Sequence, residues 1–219
     1  MDISAKIKKY KEELPENVKL VAISKTKPSE DIMEAYNAGQ KIFGENKVQE
    51  MTDKWEELPK DIEWHMVGHV QSNKVKYMAH YVSLIHAVHK LKLLKEIDKR
   101  AKEHERVIKC LLQVKIAEED SKYGMDAAEV DKILASDAYK EMENVKVIGL
   151  MGMATLTNNE EQIKQEFQFL KNKYDEVAAV NKDFTTLSMG MSGDYKIALD
   201  CGTTMVRIGS SIFGERNYN

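Results

Sequence analysis

Cysteine is almost missing from this 219-residue chain, which has only Cys110 and Cys201. One lies inside an apolar run and the other precedes a glycine, so they form neither a CxxC pair nor a disulfide framework; both read as reduced thiols. Long apolar runs are missing too. Nothing approaches the about 18 consecutive apolar residues of a membrane-spanning helix. The N-terminus, MDISAKIKKYKEEL, is amphipathic and heavily charged where a signal peptide would carry an apolar stretch. These absences lead us to expect a cytoplasmic protein. Neither sign of charge is in excess, with 33 basic side chains against 36 acidic ones, which leaves no electrostatic footprint for nucleic acid or an anionic membrane. There are only three prolines and no low-complexity segment. The glycine-rich fingerprint that usually follows the first strand of a doubly wound sheet is also lacking, its place taken by Ser24-Lys25-Thr26-Lys27-Pro28.

What is present is a repeated alternation of short apolar runs and longer helical patterns. After an opening helix at about 3–14, strands are predicted at 20–24, 41–44, 63–67, 82–87, 107–116, 146–151, 186–189 and 205–208. Helical stretches fall between them at about 30–38, 46–57, 72–79, 90–104, 126–136, 159–179 and 194–200. This predicts an α/β fold: a single (β/α)8 TIM barrel with an extra N-terminal helix, residues 1–219 forming one domain. Such barrels are typically about 250 residues long.

In a barrel the chemistry sits at the C-terminal ends of the strands. The predicted rim there comprises Lys25, Glu45, Asn46, His65, Gly68, His86, Lys122 and the stretches 151–153, 188–192 and 207–211. Lys25 stands out, because the apolar run of KLVAIS (19–24) leads straight into it. An ammonium is costly to remove from water without a partner or a function, and a desolvated lysine becomes a free amine able to attack a carbonyl as a Schiff-base nucleophile. Taken alone, Lys25 is more simply read as a strand-terminal lysine snorkelling to solvent. Loops after strands seven and eight commonly bind phosphate in this fold, and Ser188, Met189, Gly209 and Ser210 fit such a cradle. Ser and Gly also make turns and cap helices, which keeps the structural alternative open.

The two features face one barrel mouth, and one ligand satisfies both: pyridoxal 5'-phosphate. Arg207, two residues before Gly209, adds a cation that would oppose protonation of the pyridine nitrogen and so make the cofactor a poorer electron sink. Its structural alternative is an ion pair with a neighbouring carboxylate. Lys122 is a weaker second amine, expected to be exposed and paired with Glu118 or Asp120. A metal-dependent barrel hydrolase is a remote alternative, since His65 and His86 close strands three and four and His89 follows. It lacks carboxylates at strand ends, so no metal ligand is assigned, and His65 reads as a supporting hydrogen-bonding group or a satisfied core histidine.

The strings AISKTKP, FGENKVQE, WHMVGHVQSNK, GLMGMA, LSMGMSGDY and GTTMVRIGSSIFG, in this order over about residues 18–215, resemble the YggS/PROSC family of pyridoxal phosphate homeostasis proteins. The resemblance implies that Lys25 carries the cofactor as an internal aldimine, with Lys27 flanking. It also implies that Asn46 and Met151 line the ring, that Arg207 faces the ring nitrogen, and that Ser188, Met189, Gly209 and Ser210 hold the phosphate. The barrel it implies is that of alanine racemase N-terminal domains. Racemases of that type append a β domain and use a tyrosine from a partner subunit as the second acid/base. With the chain ending at Asn219 no such domain is expected; no catalytic residue is assigned, and enzyme activity is expected to be weak or absent. The implied role is to hold pyridoxal phosphate and deliver it to apoenzymes, as a monomer, affecting amino-acid and keto-acid balance. A weak or vestigial racemase or other amino-acid lyase stays open.

Overall fold

The apolar segment β1 (Lys19–Ile23) is buried through its middle and pairs in parallel on both sides, which a strand flanked only by crossover helices can do. In the computed structural model, which describes residues 2–119 and 123–214, β1 is followed by β2 (Ile42–Glu45), β3 (Glu63–Met66), β4 (Leu84–Val88), β5 (Ile108–Gln113), β6 (Val145–Met151), β7 (Thr186–Met191) and β8 (Met205–Ile208). They join in sequence order into a closed barrel, and the seam runs from Lys19 opposite Met205 to Ala22 opposite Ile208. The predicted (β/α)8 barrel is the fold observed.

Alternation along the strands divides the core in two. Val21, Leu84, Ala87, Leu111, Met151 and Met205 form one buried cluster, filling the barrel. Their neighbours in the chain, such as Ala22, Ile85 and Leu112, belong to the larger cluster under the helices. Those helices are α1 (Ile3–Glu13), α2 (Ser29–Asn37), α3 (Val48–Glu57), α4 (Leu91–Lys102), α5 (Ala127–Ala135), α6 (Asp137–Lys140), α7 (Glu160–Ala178), α8 (Tyr195–Asp200) and α9 (Ser210–Phe213), with a 3-10 helix at Ser72–Tyr77. The extra helix α1 starts at Asp2, whose carboxylate accepts from the Ala5 amide at 2.8 Å. It buries Ile3, Ile7 and Tyr10, one face at helical spacing. Lys6 ties it to α9 by donating to the Ile212 carbonyl at 3.1 Å.

Three expectations shift. The fifth strand stops at Gln113, because Val114 forms an isolated bridge with Met125 instead. The helix expected at 72–79 is a 3-10 turn, and α6 and α9 were not foreseen. The seventh strand runs on to Met191, with its register shifting between Ser188 and Met191. Gly190 makes that irregularity possible: its φ is +96°, and a Cβ there would stand 2.6 Å from the Ala198 Cβ. Cys110 and Cys201 are free, buried thiols. Among the described residues, no helix is long and apolar enough to cross a membrane.

Candidate functional site

Just past β1 the strand ladder runs out. Ser24 makes the last ladder bond, its amide donating to the Gly44 carbonyl at 3.1 Å, and the Lys27 amide turns back to the Ser24 carbonyl at 3.1 Å. Lys25 sits in this turn. Thr26 beside it has φ +62°, a left-handed conformation that β-branched residues avoid. A charged network underlies the turn. The Ser24 hydroxyl donates to Glu45 Oε1 at 2.6 Å. Lys54 Nζ, from α3, donates to the Ser24 carbonyl at 2.8 Å, to Glu45 Oε1 at 2.8 Å and to Glu50 Oε1 at 2.7 Å. The Thr26 amide donates to that same Glu50 oxygen at 2.5 Å. Glu45, expected on the rim, is fully buried; burial pushes its pKa up to about 7 against the pull of Lys54. Its Oε2 has no hydrogen-bond partner among the described residues.

A second network crosses the barrel below the mouth. Arg207, on β8, is 4% exposed and donates to the Ser188 hydroxyl at 2.6 Å and to the Gly152 carbonyl at 2.9 Å. Ser188 lies 3.0 Å from His86 Nδ1, and His86 Nε2 lies 3.0 Å from His65 Nδ1. Arg207 can only donate, so Ser188 accepts from it, and the two imidazoles continue the chain of contacts across the barrel. Burial holds both imidazoles neutral, His65 at about 3 and His86 well below its usual value, with His65 and Arg207 adding to the effect on His86. Burial also brings Arg207 down to about 10, which leaves it protonated at neutral pH.

Above these networks lie two cavities of about 250 and 420 Å3 that share Ile23, Lys25, Met191 and Arg207. The first is also lined by Asn46, His69, Tyr123 and Met153. The second is flanked by Lys27, Ser192, Gly193, Gly209 and Ser210. Gly68 lets the two loops on the Asn46 side close up, since a Cβ there would fall 2.3 Å from the Asn46 carbonyl oxygen. Ser192 and Gly209 are also linked directly, the Gly209 amide donating to the Ser192 hydroxyl at 3.3 Å.

Of the predicted site residues, Lys25, Asn46, Arg207, Gly209 and Ser210 line this double cavity. Three do not. Ser188 is fully buried beneath it in the Arg207–His86 link, Met189 is packed under the helices, and Met151 belongs to the barrel filling. Met191, Ser192 and Met153 stand at the cavity instead. The displacement has a simple origin: β7 extends two residues beyond its predicted end, and Met153 follows Met151 at the two-residue period that keeps the same face one layer nearer the mouth. His69, Gln113 and Tyr123 also line the cavity, and only contacts distant in sequence bring them there. His65, expected as a supporting hydrogen-bonding group or a satisfied core histidine, is buried against His86 and lines neither cavity. Among the described residues, no three His, Cys, Asp or Glu side chains gather as a metal site would need. Lys122 lies outside the described residues.

Residues 2–217 match the family model described as "Alanine racemase, N-terminal domain". The chain is 41% identical over 202 residues to the pyridoxal phosphate homeostasis protein of Aquifex aeolicus, spanning 91% of this chain and 88% of that one. It is 36% identical over 216 residues to the Escherichia coli K12 protein of the same name, spanning 94% and 88%. Among solved structures, PipY of Synechococcus elongatus without PLP superposes with a TM-score of 0.90 at 34% identity, covering 97% of this chain and 100% of that one. PipY with PLP bound gives 0.87. An alanine racemase of Clostridium difficile shares the fold with a TM-score of 0.78 at 13% identity, covering all of this chain and 58% of the racemase.

Proposed function

The chain belongs to the pyridoxal phosphate homeostasis protein family, and on that premise we propose that it binds pyridoxal 5'-phosphate in the double cavity, held covalently through the Lys25 amine and released to apoenzymes. The observation that carries this reading is the sharing of Lys25 and Arg207 between two fused cavities, one suited to a ring and the other to a phosphate. PipY with PLP bound has the same fold over nearly its whole length, which supports the same ligand here.

The residues present fit the group. Lys25 reaches both cavities. When bound, the cofactor supplies an aldehyde that condenses with an amine, losing water, and the condensation reverses when water returns. Asn46 and Met153 flank the ring side. Arg207 is fixed by Ser188 and the Gly152 carbonyl, and its guanidinium disfavours a proton on a pyridine nitrogen beside it. Gly193 and Gly209 admit a phosphate closely between Ser192 and Ser210, with Lys27 adding a positive charge. In this proposal Ser192 takes the part expected of Ser188 and Met189, and Met153 the part that the family resemblance implied for Met151.

We further propose that the whole chain works as one cytoplasmic, monomeric unit that keeps a reactive aldehyde from stray amines. Two free, buried thiols suit a reducing compartment. The experiment is to add pyridoxal phosphate to the purified chain, record the visible absorption band, reduce with borohydride and map the modified peptide. Label on Lys25, and no band in Lys25→Ala, is the expected result; a label elsewhere, or an unchanged band in Lys25→Ala, overturns the reading.

A further inference from the structure

Neither Glu50 nor Lys54 touches either cavity, yet between them they hold the backbone on both sides of Lys25. We propose that these two residues of α3 are positioning residues, which fix the Ser24–Thr26 turn and so aim the Lys25 amine into the site. The inference rests on the cofactor reading above.

A lysine reaches its target through a flexible four-carbon stem, so the protein can control only where the stem begins. Beyond β1 no strand ladder does this, because Ser24 is the last residue held by a neighbouring strand. The next residue but one, Thr26, is held at φ +62°. A β-branched residue keeps such a conformation only where the surroundings over-determine it. Here its amide is held by the Glu50 carboxylate, a charge-assisted bond at 2.5 Å. On the other side of Lys25, the Ser24 carbonyl accepts from Lys54 and the Ser24 hydroxyl donates to Glu45. An ammonium has three protons to donate, and Lys54 directs them to Ser24, Glu45 and Glu50. It thereby binds strand, turn and helix into one unit and keeps the two carboxylates from repelling each other. Glu45 and Lys54 are buried while Glu50 keeps 24% side-chain exposure, so Glu50 can be changed without opening the core.

The test compares two ligands on the full chain: pyridoxal phosphate, and 4-deoxypyridoxine 5'-phosphate, which has the same ring and phosphate but no aldehyde. Glu50→Ala, at a half-buried helical position that accommodates alanine, is expected to weaken pyridoxal phosphate binding about tenfold, the equivalent of one lost hydrogen bond, while leaving the analogue's affinity unchanged. Glu50→Gln keeps an oxygen for the Thr26 amide and should restore most of the loss. Hydrogen exchange at the Thr26 amide, read without any ligand, should speed up in Glu50→Ala and return towards the wild-type rate in Glu50→Gln. If Glu50→Ala binds both ligands as wild type does, or weakens both equally, the positioning role is refuted. If the wild-type chain never takes the aldehyde onto Lys25, the cofactor reading fails instead; an unchanged Thr26 exchange rate would then also refute the fixing of the turn.

Discussion

Two buried polar networks lie under the barrel mouth, and they are built on opposite principles. The one below Lys25 is ionic: Lys54 against Glu45 and Glu50, with hydrogen bonds running out to the backbone of the turn. The one below Arg207 carries a single charge, on the arginine, backed by a hydroxyl and two neutral imidazoles in line. The first fixes a stretch of main chain just beyond a strand; the second fixes one side chain that already belongs to a strand. A turn offers amides and carbonyls pointing several ways, so a multiply charged cluster suits it. A guanidinium inside a barrel has a fixed base, and it needs only acceptors that do not cancel its charge. The Ser188 hydroxyl and the Gly152 carbonyl provide that where a carboxylate would neutralise it.

The largest break should come from Lys54. In Lys54→Met the buried Glu45 carboxylate loses its counter-ion, and at pH 8, where Glu45 is ionised, unfolding stability should fall by about 3–5 kcal/mol. Adding Glu45→Gln to the same chain removes the stranded charge and should recover more than half of the loss in denaturant titrations. If the single variant were as stable as wild type, the ionic network would contribute nothing to the fold. The second network is tested by Arg207→Gln, which keeps a donor for Ser188 but discards the charge. In the loaded protein the pyridine nitrogen should then titrate about 1–3 units higher, read from the pH dependence of the absorption band. No change would mean that Arg207 does not face that nitrogen.

The smallest effect, and the most direct comparison, is in pH dependence. Burial depresses His65 and His86 below the about 6.5 of an unfolded histidine. As pH falls below about 6.5 the unfolded chain gains protons that the fold refuses, and stability drops. Glu45 works in the opposite direction. Its carboxyl titrates at about 7 in the fold against 4.5 ordinarily, so the stability it contributes is present at low pH and is lost as pH rises through about 7. Between about pH 4.5 and 6.5 the two slopes oppose each other. Glu45→Gln should therefore make stability rise more steeply with pH over this window, by about 1.4 kcal/mol per pH unit. A profile parallel to wild type would show that Glu45 is not held protonated by burial.

Much of the lining of the double cavity was legible in the chain. An apolar run ending in Lys25 marks a strand end whatever surrounds it, and Asn46, Arg207, Gly209 and Ser210 follow from the same logic on other strands. Ser188 and Met189 were placed at the ligand from the loops after strands seven and eight, and Met151 from the family resemblance; neither tells at which layer of the barrel a residue stands. The extension of β7 to Met191 moved the mouth two residues along, to Ser192. Glu45 belonged to the predicted rim, and its complete burial depends on Lys54, nine residues away on α3. The His86–Ser188 contact joins positions 102 residues apart, and no local pattern could announce it.

The sequence by itself determined the succession of eight strands, the extra helix at the start, the absence of a disulfide framework, and the lysine that follows the first strand. These follow from local periodicity, cysteine usage and the cost of an ammonium at the end of an apolar run. Only the tertiary structure decided which serine stands at the cavity, which carboxylate is buried with a cation, and that two histidines, a serine and an arginine line up across the barrel. Each of these depends on how far one strand slides past the next, and on helices returning distant residues to a common layer. Barrel closure and packing set both at once.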